Sequence, residues 1–178
     1  MTPSIDAQRL YLDAFPQNER RDIDAWTALA EAGGPFRIDE WQYQGHFAGF
    51  LTYWSFPRFT YVEHFATASA LRGKGMGGRW LDAFVAQTAN PVVLEVEPGD
   101  TTMAQRRIAF YERHGFYLSE QSYVQPPYRK GDAPLPLRLM TTDSAFLAAH
   151  AAEVVRQIHH EVYGYDDNTP DNLSPITR

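Results

Sequence analysis

Apolar residues recur along the chain with two different periods, and the switches between them outline a fold. In "ERRDIDAWTALAEAGGP", Ile23, Trp26 and Ala30 fall at helical spacing with Leu29 beside them, and Gly33, Gly34 and Pro35 end the run. From Phe36 the period changes. Phe36 and Ile38, then Phe47, Gly49, Leu51 and Tyr53, alternate with more polar partners, which predicts two antiparallel strands joined around Gln44 and Gly45. A turn at "SFPRF" leads into a third strand, "TYVEHFATAS". A glycine-rich loop follows and opens a helix over "GGRWLDAFVAQTA", with Trp80, Leu81, Phe84 and Val85 on one face and Asn90-Pro91 as its stop.

Beyond that point "VVLEVE" is a short β-rich run, and "TTMAQRRIAFYERHGF" is a second amphipathic helix with Gly115 suited to its C′ position. Strands are predicted at "YLSEQSYV" and "PLRLM", on either side of the proline-rich "QPPYRKGDAPLP". A last helix runs from Ser144 through Tyr163, and the polar, proline-broken stretch 166–178 is expected to be irregular. With a strand expected ahead of the first helix, the order is β, α, three antiparallel strands, α, β, α, β, β, α. This is a mixed α+β chain with one clear βαβ crossover.

Composition narrows what such a chain does. Its 178 residues fit one enzyme-sized domain, and 14% aromatic content suggests an aromatic-lined core or pocket. A formal charge of −6 sets the chain against a polyanion, so nucleic acid is not an expected partner. The absence of cysteine removes disulfides, zinc thiolate sites and a cysteine nucleophile. No basic and apolar leader opens the chain and no eighteen apolar residues run together, so no membrane role is expected and the cytoplasm is the expected location.

The stretch "LRGKGMGGRW" carries the first chemistry. Gly73, Gly75 and Gly78 match G-x-G-x-x-G, whereas from Arg72 the same residues read R-G-x-G-x-G. Either way the glycines let backbone approach an anion at the N-terminus of the following helix, and Arg72, Lys74 and Arg79 add positive charge. A dinucleotide site would find a ribose partner in Glu95 or Glu97, but its loop belongs on the first strand of a doubly wound parallel sheet, and three antiparallel strands precede this one. A nucleotide-triphosphate loop lacks its Lys-Ser or Lys-Thr.

"LRGKGMGGRWLDAF", followed some thirty residues later by "RRIAFYERHGF", resembles the GNAT superfamily of acetyl-CoA-dependent N-acetyltransferases. Arg72, Gly75 and Gly77 match its R/Q-x-x-G-x-G/A pyrophosphate loop, and Phe110, Tyr111, Glu112, Gly115 and Phe116 match its second segment. The resemblance implies a GNAT-like, mostly antiparallel central sheet flanked by helices over 1–142, with an added C-terminal helix and irregular tail over 143–178. That helix reads as a cap, a homodimer contact or an acceptor-site wall. The resemblance further implies that acetyl-CoA is bound by Arg72, Gly73, Lys74, Gly75, Met76, Gly77 and Gly78, with backbone N–H groups of Phe65, Ala66 and Thr67 along the pantetheine, and that no metal takes part. Where family members commonly carry Asn and Ala, this chain has Ala104 and Arg107; the pair Arg106 and Arg107 reads as a solvated face or as a reach to CoA phosphates.

Transfer to an amine needs a proton for the departing thiolate and a base for the attacking nitrogen. Tyr111 is the expected proton donor. Glu63 is the leading base, because strand parity places it with Phe65 and Thr67 and an apolar strand would raise its pKa; His64 on the opposite face and Glu97 through water are alternatives. The expected acceptor is a primary amine of a small molecule or peptide, with two or three aromatics among Trp41, Tyr43, Tyr53, Trp54, Phe56, Tyr61, Tyr123 and Tyr128 lining its site. A catalytically silent acyl-CoA-binding module or sensor is the competing expectation.

Overall fold

The computed structural model describes residues 2–165, so the irregular stretch expected over 166–178 lies outside the described residues. The chain divides between Asn90 and Pro91 into two compact units. Its class is mixed α+β with mostly antiparallel strands flanked by helices, as the periodicities predict.

The first unit begins differently from expectation. Where a strand was expected, Ile5–Ala14 forms helix α1, capped by the Ser4 hydroxyl, which accepts from the Ala7 N–H. Its buried residues, Ala7 and Tyr11, stand one turn apart, while Ile5 and Leu12 are 59% and 41% exposed. An inward stripe of one small and one aromatic residue beside outward apolar ones has little helical period to read. Helix α2 (Ile23–Glu31) contributes Trp26, whose ring stacks on Tyr11 with centroids 4.3 Å apart.

Strands β1 (Phe36–Tyr43), β2 (His46–Ser55) and β3 (Thr60–Thr67) form an antiparallel meander. Gln44 and Gly45 make its first turn, both at positive φ, as a two-residue hairpin requires. Phe50 packs against Tyr11 and Trp26 on one face. The other face receives helix α3 (Met76–Gln87), with Tyr53 against Phe84 and Trp41 stacked on Trp80. Two bulges interrupt the register. One lies in β2, where Trp41 faces Gly49 and Gln42 faces Phe47 so that Ala48 has no opposite residue, and the other lies in β3, where Thr52 faces His64 and Tyr53 faces Val62 so that Glu63 has none.

In the second unit β7 (Leu135–Thr141) organises the sheet, pairing antiparallel with β4 (Val92–Val96), β5 (Tyr117–Leu118) and β6 (Tyr123–Gln125). The single strand expected at "YLSEQSYV" is thus two, because the register against β7 slips between them: Leu118 faces Met140 but Tyr123 faces Leu137, and the Arg138 side chain donates to the Ser119 carbonyl in the gap. Helix α4 (Thr102–Arg113) is capped by the Thr101 hydroxyl and ends at Gly115, whose φ of +82° admits the turn. Helix α5 (Ser144–Gln157), capped by Asp143, continues into a π-helical turn, Ile158–Val162, and buries Leu147, Val154 and Ile158.

Candidate active site

Strand β3 ends against the glycine loop, and three contacts hold the junction. Arg72 Nε donates to the Thr67 carbonyl at 3.1 Å. The Ala68 N–H donates to the Ala48 carbonyl at 2.9 Å. A Cβ at Gly77 would meet Thr67 Oγ1 at 3.0 Å and Phe65 Cζ at 3.5 Å, so α3 begins as close to β3 as a glycine permits. Gly73 and Gly75 serve a different need. Their φ values of +73° and +72° lie in the left-handed region, with open space where a Cβ would stand.

Gly75 is the N-cap of α3, and among the described residues no side chain caps that helix. The first intrahelical bond is donated by Arg79 to the Gly75 carbonyl, which leaves the preceding N–H groups, from Met76 to Gly78, to be satisfied from outside. Arg72, Lys74 and Arg79 are exposed around them. Unpaired donors, the positive end of a helix dipole and three cations are chemically suited to phosphate oxygens, so the residues expected at the pyrophosphate of acetyl-CoA could hold it.

Glu63 is the main departure from expectation. The bulge at Thr52 and Tyr53 breaks the alternation of β3, so Glu63 does not share the face of Phe65 and Thr67. Phe65 packs edge-on to Trp41, on the α3 side. Glu63 and His64 instead project together toward α1 and α2. Glu63 pairs with Arg21 and accepts from the Trp54 indole at 2.8 Å, while His64 lies edge-on to Tyr11 and bonds the Glu19 carbonyl at 3.0 Å.

The expected raised pKa of Glu63 is reversed. Burial pushes its carboxyl up, but the Arg21 guanidinium, with His64 and the Trp54 indole, outweighs that and holds it below the usual carboxylate range. Burial pushes the His64 imidazole down, with Glu63 and the bond to the Glu19 carbonyl opposing it. Arg21 closes the cluster: its guanidinium lies 5.7 Å from the Trp54 ring, and its backbone N–H donates to Tyr11 Oη at 2.9 Å. Arg21 carried no sequence signal, since its partner stands 42 positions away.

The second unit holds the other expected residues. Tyr111, in the last turn of α4, is buried against Phe110 and Phe116, and burial pushes its phenol up to about 12. Arg107 pairs with Glu97 at 2.5 Å, which favours the solvated-face reading of that helix side. Glu95 turns away from any ribose role: it accepts from Tyr123, Gln125 and Tyr163. Of the aromatics expected at an acceptor site, Trp54, Phe56, Tyr61 and Tyr123 are core. Among the described residues no group of His, Asp and Glu could hold a metal ion, and no helix is long and apolar enough to cross a membrane.

The family model of the GNAT acetyltransferases matches residues 5–116. Among solved structures, a protein from Bacteroides thetaiotaomicron placed in the GNAT family is 38% identical, with a TM-score of 0.86 over 90% of this chain and 92% of that one. A variant of the spermidine N-acetyltransferase SpeG from Vibrio cholerae shares the fold at 14% identity, with a TM-score of 0.56 over 75% and 85% of the two chains. The ribosomal-protein-alanine N-acetyltransferase from Brucella melitensis does so at 20% identity, with a TM-score of 0.55 over 75% and 90%. Among curated proteins none matches.

Proposed function

The chain belongs to the GNAT family of acetyltransferases, and from that premise we propose that it transfers the acetyl group of acetyl-CoA directly to a primary amine of a small molecule or peptide. The observation that carries the proposal is the start of α3, where a glycine N-cap in the left-handed region, uncapped N–H groups and the cations Arg72, Lys74 and Arg79 converge. Both acceptor classes have precedents on this fold, one neighbour being a spermidine and another a ribosomal-protein-alanine acetyltransferase. Fold alone does not choose between them.

Bound acetyl-CoA supplies an activated acetyl thioester. Around it, the N–H groups of Phe65, Ala66 and Thr67 would hold the pantetheine arm, and the loop from Arg72 to Gly78 would hold the phosphates. Tyr111 keeps the proton on its Oη throughout the physiological range, because a phenol raised to about 12 does not ionise there. It therefore serves as donor rather than base. Glu63, ionised beside Arg21, is the proposed destination of the amine proton, reached through water.

Two results test this reading. In calorimetric titration, acetyl-CoA and CoA should bind saturably and NAD should not, with charge reversal at Lys74 weakening both CoA species. No binding of either would remove the proposal. In Tyr111→Phe, kcat should fall by about 10²-fold, the lower range for loss of a general acid, with the acetyl-CoA dissociation constant unchanged. An unchanged kcat would free Tyr111 from the chemistry while leaving the transferase reading intact.

A further inference from the structure

Among the described residues, strand β1 pairs on one side only, with β2. The Ser55 N–H donates to the Pro35 carbonyl at 3.0 Å, and bonding alternates along an antiparallel ladder, so Arg37 and Asp39 turn their backbone groups toward β2. The N–H and C=O groups of Phe36, Ile38 and Glu40 therefore point outward. Such an edge is a template for another strand.

A cavity of about 640 Å³ runs along that edge. Thr2 and Ser4 wall it on the α1 side, Gln87 at the end of α3 walls it on the other, and residues 38–41 form its floor. The Ser4 N–H fixes the first wall by donating to Glu40 Oε1 at 2.8 Å. Space on both faces of the sheet suits a strand, whose side chains alternate between them.

Charge selects the strand. Arg37 and Asp39 lie on the α3 side of β1 by parity with Trp41, which stacks on Trp80. Asp39 is half-buried and has no hydrogen-bond or ion-pair partner among the described residues, and burial pushes its carboxyl up. Arg37 is exposed and donates to the Gly34 and Phe36 carbonyls.

A second β1, laid antiparallel about a two-fold axis through Ile38, meets both needs. Ile38 would exchange backbone bonds with its own copy, and Phe36 would do so with Glu40 of the second copy. Arg37 would then stand directly opposite the second copy's Asp39, and Asp39 opposite its Arg37, in the closer, non-hydrogen-bonded pairs. The Phe36 carbonyl would take an N–H from the incoming strand, which releases the Arg37 guanidinium to that carboxylate. Moving the axis one residue either way would set Arg37 against Arg37 or Asp39 against Asp39, so charge fixes the register.

We propose that the chain forms a symmetric homodimer by antiparallel pairing of β1 with β1 of a second copy, in the register that sets Arg37 against Asp39. The proposal is independent of the acetyltransferase reading. Its test is sedimentation velocity of the full chain from about 1 to 200 µM at about 0.15 M salt, where repulsion from the net charge of −6 is screened beyond ~8 Å. The native chain should pass from monomer to dimer over that range. Arg37→Asp and Asp39→Arg should each weaken self-association about tenfold or more, because symmetry makes both pairs repulsive in either variant. An equimolar mixture of the two variants should restore association, since every carboxylate then faces a guanidinium, and the double variant should dimerise alone. Ile38→Pro removes an outward N–H and leaves the β1–β2 ladder its bonds, so it should abolish the dimer. Should that variant fail to fold, the charge variants decide the matter.

A chain that stays monomeric throughout the range overturns the proposal. So does a dimer that neither charge variant weakens, that the mixture fails to restore, or that a folded Ile38→Pro still forms, since association would then run through another surface.

Discussion

Replacing Arg21 with methionine is expected to lower folding stability by about 3–5 kcal/mol, the range for removing one partner of a buried ion pair. The cost comes from what remains: the Glu63 side chain has no exposed surface and would lose its guanidinium. A fall in the urea midpoint at unchanged slope would register it. The pH dependence gives a sharper readout. In the native chain the folded pKa of Glu63 lies below the unfolded value of ~4.3, so its contribution is full above that pH and is lost as pH falls through the folded value. Without Arg21, burial dominates and lifts the folded pKa above the unfolded one. The contribution is then full below ~4.3 and is lost as pH rises through the raised value. The two stability curves should therefore converge toward acid, and parallel curves would overturn the ion-pair account.

The same variant examines the proposed part of Glu63 in the reaction. An acid limb of kcat/KM that belongs to Glu63 should move to higher pH in Arg21→Met and vanish in Glu63→Gln. A limb unmoved by both belongs to another group and takes Glu63 out of the chemistry. Arg107 makes a useful contrast. It also pairs with a glutamate, but at 45% and 43% exposure the pair is worth little, and Arg107→Met should leave stability within about 1 kcal/mol.

Residues whose structural meaning is local were legible in advance. Gln44 and Gly45 announced a two-residue hairpin turn, and Gly115 announced a helix end, because positive φ falls to glycine and, less often, to small polar or amide residues. Period-two and period-3.6 stripes located β1, β2, β3, α3 and α4 for the same reason. What failed was long-range. Glu63 was assigned a face by counting, and one unpaired residue in the register turned it over. Arg21, Gln125 and Tyr163 offered no pattern at all, since each acquires its role from partners 30 to 68 positions away. A lone arginine before a helix or a tyrosine after one has many possible partners, and only the closed sheet selects among them.

Gly49 belongs to that long-range class and yields the largest expected effect on cofactor use. In Gly49→Ala, kcat/KM for acetyl-CoA should fall about 10²-fold, the size of effect that a shift of roughly 1 Å in positioning residues produces. A Cβ there would stand 2.4 Å from the Ala66 carbonyl oxygen and 3.1 Å from Thr67 Cα. Both are backbone atoms, so no rotamer change relieves the clash and the end of β3 must move from β2. That end carries the proposed pantetheine donors, and its Thr67 carbonyl receives Arg72, so the displacement reaches the phosphate loop. Gly77→Ala is the milder comparison, because its closest neighbour at 3.0 Å is the Thr67 hydroxyl, which can rotate away. Gly45→Ala is the control. Its φ of +77° makes alanine cost about 1–2 kcal/mol, but nothing lies within 4 Å of the new Cβ, so acetyl-CoA affinity should not change. If Gly49→Ala bound acetyl-CoA as tightly as the native chain, the end of β3 would not be part of the cofactor site.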